Sequence, residues 1–206
     1  MIARIQLDLT TKSDIKLGNY LGSLFQGVLM ELISPEYADE LHISSLHPYS
    51  QYVRKTEKGL TWTVNTLDSN SRSQIIGALS NINLTDLTLR QKEAAFHISG
   101  RKIEETTYDD LLNRYYMGEP CPPYVSIDFL TPTSFKSNGK YVIFPTSQLI
   151  LKSLAKKYDN SSTCSKVCDE LLFDYINENT EIIEYSLRST KFSMEGITIP
   201  SFIGSV

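Results

Sequence analysis

Apolar residues alternate with polar ones at the start of the chain, and the spacing then lengthens to that of a helix. Ile5, Leu7 and Leu9 lie two positions apart, which predicts a strand. Between 20 and 33 the apolar positions are 21, 24, 25, 28, 29, 32 and 33, so an amphipathic helix follows. A second short helix is predicted over 35–42, because Ser34 is a good N-cap and Pro35 suits the first helical position.

Two β-rich runs, 49–55 and 60–67, are separated by a short turn that ends at Gly59, and this pattern predicts a hairpin. A short helix over 71–79 and a strand over 93–103 complete the first half. The resulting order, β-α-β-β-α-β, is that of a ferredoxin-like unit. We therefore expect residues 1–119 to form an N-terminal domain of this type that carries the candidate active site.

Prolines at 120, 122 and 123 place a domain boundary before the second half. Beyond them the pattern predicts a strand, two helices and a terminal hairpin: 124–130, 145–158, 166–178 and 182–192 with 196–206. A ferredoxin-like unit needs one more helix and strand, so we expect the C-terminal domain, 120–206, to be incomplete and the chain to be a fragment. The predicted fold class is α+β, with tandem ferredoxin-like (RRM-like) units.

The net charge does not by itself indicate a nucleic-acid binder, since 20 Lys and Arg face 24 Asp and Glu and the net charge is -4. The charge is unevenly distributed, however. Residues 121–157 hold five lysines (136, 140, 152, 156 and 157) and one acid, whereas 158–206 hold three basic and eight acidic residues. This split predicts a positive surface, with 135–141 as a loop that binds phosphates. Alternatively, the lysines at 152, 156 and 157 are only the solvated face of a helix.

No segment predicts membrane insertion, because no run approaches the roughly 20 apolar residues that a spanning helix needs, and the N-terminus has no signal sequence. We therefore expect a cytoplasmic protein without a membrane partner. The three cysteines argue against a disulfide framework. Cys164 and Cys168 lie four apart on a predicted helix without a nearby histidine, so neither a metal site nor a cofactor is expected, and the loop 159–163 is expected at the surface.

Two of the three histidines, His42 and His47, lie five positions apart where the second predicted helix ends. Imidazole is the side chain best matched to proton transfer near neutral pH, and hydroxyl and cationic side chains surround both positions. The alternative interpretation is that one histidine caps the helix and the other belongs to a loop. His97 lies in a predicted strand and is expected to be structural.

Three blocks of the sequence together resemble the CRISPR-associated endoribonucleases of the sixth Cas family. They are the helix 20–30 leading to 37–42, the run 129–136 followed by 141–145, and the ending 199–204. The tandem ferredoxin-like architecture of that family agrees with the predicted elements. The resemblance implies metal-independent cleavage of CRISPR precursor RNA within each repeat. In that reaction the 2′-hydroxyl attacks the adjacent phosphate, which leaves a 2′,3′-cyclic phosphate and a 5′-hydroxyl end.

The resemblance also suggests site residues. The family's catalytic histidine follows a leucine at the end of the helical region, which makes His42 the first candidate for the general base or acid. A tyrosine that some members carry in the first helix is replaced by Met30, so His47, Tyr49 and Lys55 are candidates to complete the site. The RNA-binding candidates are Arg54, Lys136, Lys140, Lys152, Arg188 and Lys191. The family's glycine-rich RNA-binding loop is not in these residues.

The expected partner is CRISPR repeat RNA within the precursor transcript. An alternative function is a non-catalytic crRNA-binding subunit of a CRISPR effector complex, which needs a positive surface but no histidines. A third is a ferredoxin-like interaction module that does not bind RNA. Both a monomer and a homodimer fit the sequence.

Overall fold

The computed structural model describes residues 1–118, 120, 122–164, 166–194 and 197–206. These residues belong to two units, Met1–Gly118 and Glu119–Val206, and each unit is described by itself.

The first unit contains every element that the sequence pattern predicts, together with an additional strand and helix. Its elements are β1 (Ile2–Thr10), α1 (Gly22–Leu32), α2 (Pro35–Ile43), β2 (Tyr49–Lys55), β3 (Leu60–Thr66), α3 (Ser69–Ser71), a π-helical turn (Arg72–Ile76), α4 (Gly77–Ser80), β4 (Asp86–Leu89), β5 (Ala94–Thr106) and α5 (Tyr108–Tyr115). The unpredicted elements are β4 and α5. Strand β4 has only four residues, which is too short for a clear alternation signal.

The strands of the first unit form one antiparallel sheet in the order β2-β3-β1-β5-β4. Strand β3 lies between β1 and β2, and β5 pairs with the other side of β1, which is the ferredoxin-like arrangement. The predicted α+β, ferredoxin-like fold is therefore confirmed. Strand β4 extends the sheet as a hairpin with β5, in which Asp86 lies opposite His97.

The core of this unit lies between one face of the sheet and the helical elements α1, α2, the π-helical turn and α4. The Phe25 ring on α1 lies 4.9 Å from the Trp62 ring and 5.4 Å from the Phe96 ring, and all three side chains are fully buried. Full burial of one such side chain stabilises a fold by about 1.5–3 kcal/mol. The predicted cap of α2 is also confirmed, since Ser34 Oγ accepts a hydrogen bond from the Tyr37 N–H at 3.3 Å.

Gly59 closes the β2–β3 hairpin with a φ of +155°, in the region that favours glycine. A Cβ at this position would lie 2.1 Å from the Leu9 carbonyl oxygen, so a side chain cannot be accommodated without moving β1. The turn therefore fixes the register of the sheet edge that carries β2.

The second unit contains five strands and two helices among its described residues. They are β6 (Asp128–Thr133), β7 (Phe135–Ser137), β8 (Lys140–Val142), α6 (Ser147–Ser161), α7 (Glu170–Asn179), β9 (Ser186–Met194) and β10 (Ile197–Ser205). The sheet has the antiparallel order β6-β10-β9, which is the order of the first three ferredoxin-like strands, and β7 and β8 form a separate hairpin. Part of the predicted turn near 194–196 lies outside the described residues.

Several predictions for this unit were wrong in detail. The expected phosphate-binding loop 135–141 is a hairpin, because Asn138 and Gly139 adopt positive φ values of 49° and 75° and form a tight two-residue turn. The expected surface loop 159–163 is wrong, because α6 continues to Ser161 and the side chains of Ser161 and Ser162 are buried.

The predicted helix over 166–178 begins only at Glu170, because the Asp169 side chain caps it by accepting from the Leu172 N–H at 2.6 Å. Cys164 and Cys168 therefore do not lie on a helix. The Asp159 carboxylate instead holds the segment before α7, by accepting from the N–H groups of Val167 at 2.8 Å and Cys168 at 2.9 Å.

Candidate functional site

Both candidate histidines lie on the connection between α2 and β2, which we call the histidine segment (residues 42–49). His42 is in the last turn of α2, His47 lies two residues before β2, and both side chains are exposed to solvent. The Ser44 N–H donates to the Glu40 carbonyl at 3.1 Å and closes α2. The segment thus presents two imidazoles at one end of the first unit's sheet.

The far end of the histidine segment is also fixed. The Pro48 carbonyl accepts from the Leu67 N–H at 2.8 Å and from the Ser71 hydroxyl at 3.3 Å. Ser44 also donates from its hydroxyl to the Leu46 carbonyl at 3.0 Å, within the segment. His47 is therefore carried on a short stretch of chain with hydrogen-bonded anchors on both sides.

Tyr49 lies directly beside His47, with 5.7 Å between the two ring centroids. Only 6% of Tyr49 is exposed, and its hydroxyl accepts a hydrogen bond from Gln26 Nε2 on α1. Burial raises the pKa of Tyr49, and the hydrogen bond from Gln26 opposes that shift. The phenol is therefore protonated throughout the neutral pH range.

A chain of polar side chains continues from Tyr49 into the core. Gln26 Oε1 accepts from Gln51 Nε2 at 3.1 Å, and Gln51 Oε1 accepts from the Trp62 indole N–H at 2.5 Å. Sequence reasoning missed both glutamines. Neither carried a local signal, because each occupies an ordinary polar position of an amphipathic helix or strand.

The other two candidates on β2 are placed apart from this cluster. Lys55 is six residues along the strand from Tyr49, which corresponds to about 20 Å, at the end that pairs with Leu60. Arg54 points to the opposite face of the sheet from Tyr49, because side chains alternate along a strand. The structure therefore groups His47 with Tyr49, places His42 on the same segment, and separates Lys55 and Arg54 from them.

His97 pairs with Asp86 across the β4–β5 hairpin, with 3.2 Å between His97 Nδ1 and Asp86 Oδ1. Both side chains are largely exposed, and a hydrogen bond from the Thr85 hydroxyl, together with His97, lowers the pKa of Asp86. His97 thus has a partner of its own. It pairs with Thr10, the last residue of β1, whereas the histidine segment lies beside the other end of that strand.

The candidate RNA-binding lysines of the β7–β8 hairpin do not share a face. Lys136 lies opposite Tyr141 in the register, whereas Lys140 lies opposite Ser137, the neighbouring position. Adjacent pairs in a ladder point to opposite sides. One phosphate therefore cannot be held by both ammonium groups from the same face of the hairpin.

The same alternation separates the two candidates on β9. Arg188 pairs with Ile203 and Lys191 pairs with Pro200, so the two side chains project from opposite faces of the sheet. Both are exposed to solvent.

The lysines of α6 have mixed surroundings. The Lys152 ammonium lies 5.0 Å from the centroid of the Phe173 ring on α7, a distance at which a cation–π interaction forms. Lys157 is half-buried, and burial lowers its pKa. Lys152 therefore contributes to contact between the two helices, whatever else it binds.

No group of three or more histidine, cysteine or acidic side chains in the described part of the chain is arranged to hold a metal ion. Within the same residues, no helix combines the length and the apolar character that crossing a membrane requires.

Comparison with known proteins adds an independent observation. The family model for the CRISPR-associated endoribonuclease Cas6 matches residues 127–206. The Cas6 endoribonuclease of Streptococcus thermophilus is 32% identical over 182 residues, which cover 88% of this chain and 73% of that protein. A Cas6 endoribonuclease of Mycobacterium tuberculosis is 30% identical over 186 residues, and the chain spans 59% of its length.

The fold has solved counterparts. A Cas6 product complex superposes with a TM-score of 0.80 at 22% identity, covering 100% of this chain and 84% of that one. An RAMP protein described as binding different RNA substrates superposes with a TM-score of 0.52 at 14% identity, covering 98% of this chain and 86% of that one.

Proposed function

Because the chain belongs to the CRISPR-associated endoribonuclease Cas6 family, we propose that it cleaves CRISPR precursor RNA within the repeats. The observation that carries this proposal is the pair of exposed imidazoles, His42 and His47, on one anchored segment. A chain that only binds RNA needs phosphate contacts but no proton-transfer groups.

The proposed reaction takes its nucleophile from the substrate. A base removes the proton of the 2′-hydroxyl, the 2′-oxygen bonds to the adjacent phosphorus, and the bond from phosphorus to the 5′-oxygen breaks. An acid returns a proton to that leaving oxygen, which gives a 2′,3′-cyclic phosphate and a 5′-hydroxyl end. The protein must supply alignment and proton transfer, and a positioned acid or base accelerates such a step by about 10²–10⁴.

We assign His42 as the first proton-transfer group and His47 as the second. Tyr49 is almost fully buried and stays protonated, so we assign it to the support of His47 rather than to contact with the RNA. Lys55 lies too far along β2 to reach the same phosphate, and we place it with Arg54 among groups that contact other parts of the RNA.

RNA binding is proposed only for the candidate cations: Arg54 and Lys55 in the first unit and Lys136, Lys140, Lys152, Arg188 and Lys191 in the second. The endoribonuclease relative that is 32% identical to this chain supports an RNA ligand. In the β7–β8 hairpin, Lys136 and Tyr141 lie on one face and Lys140 lies on the other, so we assign them to separate contacts with the RNA. Phosphate contacts of this type make affinity fall with salt.

The test is incubation of the protein with end-labelled repeat RNA in excess EDTA. We expect a single cut whose upstream fragment ends in a 2′,3′-cyclic phosphate. RNA with a 2′-deoxy nucleotide on the upstream side of the cut is the matched control, and it should remain intact because it lacks the nucleophile. RNA that is bound but uncut would instead support the non-cutting crRNA-binding subunit of an effector complex, and absence of binding would overturn both assignments.

A further inference from the structure

The polar chain behind Tyr49 has only one consistent hydrogen-bond direction. The Trp62 indole N–H is a donor without acceptor capacity, so Gln51 must present Oε1 to it, at 2.5 Å. Gln51 Nε2 then faces Gln26, which accepts through Oε1 at 3.1 Å. Gln26 is left with Nε2 toward Tyr49, whose hydroxyl oxygen accepts the bond. One indole in the core thus sets the direction of two amides.

The direction of the chain determines what the Tyr49 hydroxyl can do. Because its oxygen accepts from Gln26, its own proton is not used in that bond. Successive hydrogen bonds of the same direction polarise one another and strengthen the last donor. On the histidine segment, the ring that lies beside the Tyr49 ring is that of His47, with 5.7 Å between the two centroids.

A second contact keeps Gln51 in place. Its Nε2 also donates to the Gly22 carbonyl, at 2.8 Å, at the first residue of α1. Both amide hydrogens of Gln51 therefore have acceptors, and its oxygen has the indole donor. Turning this amide over would place its NH₂ group against the Trp62 N–H and lose all three bonds.

We propose that Gln26 and Gln51 are positioning residues that hold Tyr49 as a hydrogen-bond donor beside His47. In the structure the Tyr49 and His47 rings lie side by side without a hydrogen bond between them; the bond from the Tyr49 hydroxyl to the imidazole, which orients it for proton transfer, is the proposed step. The consequence for cleavage rests on the proposed function, whereas the direction of the hydrogen bonds is a property of the folded chain alone.

The decisive variant is Gln26→Glu, which nearly preserves the side-chain shape. Its carboxylate accepts from Gln51 and from Tyr49, so the Tyr49 hydroxyl donates to the carboxylate and not to His47. Gln91→Glu, in the exposed turn between β4 and β5, is the charge-matched control. Gln51→Glu is the second variant, because it forces Gln26 to turn its NH₂ group toward position 51 and its oxygen toward Tyr49.

The first measurement needs no RNA. In protein labelled with ¹³C at the tyrosine Cζ, the Tyr49 signal is identified by its loss in Tyr49→Phe and followed against pH. We expect a higher pKa for Tyr49 in Gln26→Glu than in the wild type, and no change in Gln91→Glu. An unchanged Tyr49 titration in both Gln26→Glu and Gln51→Glu would overturn the assigned direction of the chain.

The second measurement is single-turnover cleavage of repeat RNA at saturating enzyme. Loss of one hydrogen bond predicts a decrease of about tenfold in the cleavage rate of Tyr49→Phe. We expect the same decrease for Gln26→Glu and no further decrease when the two substitutions are combined. Decreases that multiply, or a wild-type rate in Gln26→Glu, would overturn the positioning role. Absence of cleavage by the wild type would defeat the proposed function, and the tyrosine titration would still decide the hydrogen-bond direction.

Discussion

The two units differ sharply in how much apolar surface they bury. The first unit contains twenty-three buried apolar side chains in one continuous cluster, whereas those described in the second unit are Ile150, Ile176 and Phe202. Large apolar side chains such as Leu171 and Ile183 remain 80% and 67% exposed in the second unit. Because burial of apolar area is the main stabilising contribution to folding, the histidine segment is carried by the better stabilised unit. The candidate phosphate contacts of the second unit are carried by the unit that buries less apolar surface.

The largest expected effect concerns the core itself. Phe25→Ala should destabilise the first unit by about 3–5 kcal/mol, because the cavity cannot close between Trp62 and Phe96. Trp62 is the only tryptophan, so its fluorescence during urea unfolding reports on this unit alone. Phe202→Ala, in the aromatic cluster of the second unit, is the matched variant and should leave the Trp62 midpoint near that of the wild type. Equal shifts in the two variants would show that the units unfold together.

The next effect separates cleavage from binding. His42→Ala should lower the single-turnover cleavage rate by ~10²-fold, the lower end for a positioned acid or base, and leave RNA affinity unchanged. His97→Ala, an exposed histidine paired with Asp86 outside the histidine segment, should cleave at the wild-type rate. Cleavage at the wild-type rate by His42→Ala would transfer the first role to His47.

A smaller effect is expected on RNA binding by the second unit. Lys136→Ala should weaken binding and reduce the salt dependence by about 0.7–0.9 in the slope of log K against log salt, as expected for one lost phosphate contact. Lys58→Ala, in the exposed turn between β2 and β3 of the first unit, removes the same charge and should change neither quantity. Equal losses in the two variants would indicate a long-range effect of net charge rather than a contact.

The smallest effect concerns the polar anchor before α7. The bond from the Val167 N–H, together with that from Cys168, lowers the pKa of Asp159 below its ordinary value of 3.8. Because the pKa of Asp159 is lower in the folded protein than in the unfolded chain, the ionised carboxylate stabilises the folded segment at pH values above the pKa of the unfolded chain. This stabilisation is lost as the pH falls through the pKa of the folded protein. The amide signals of Val167 and Cys168 should titrate with a midpoint below 3.8 in NMR spectra. Asp159→Asn should abolish this titration, and a midpoint above 3.8 would contradict the assignment.

Periodicity was a reliable guide where an element has one clear apolar face. The α2 start at Ser34 and Pro35 and the β2–β3 hairpin were both predicted, because capping and turn chemistry are local. Residues 135–141 were predicted as a loop and form a hairpin instead, because the Asn138–Gly139 turn lies between two strands too short to give an alternation signal. The helix after Cys164 was placed too early because its true cap, Asp169, lies inside the predicted span.

Candidate residues on one segment were easier to predict than contacts between segments. His42 and His47 are five apart in sequence, so their shared location on the histidine segment was visible directly. Gln26 and Gln51 meet only because α1 crosses β2, which no local pattern reports. Lys55 was grouped with Tyr49 by proximity in sequence, although six residues of strand separate them by about 20 Å.

The two anchors of the histidine segment also affect the cost of each encounter with RNA. A free loop would lose roughly 1–2 kcal/mol of backbone entropy for every residue that a substrate ordered. Here the closure of α2 at Ser44 and the two bonds to the Pro48 carbonyl have already restricted the segment in the free protein. That entropy is lost once, during folding, so more of the intrinsic binding energy of the RNA remains for aligning the reacting phosphate at every turnover.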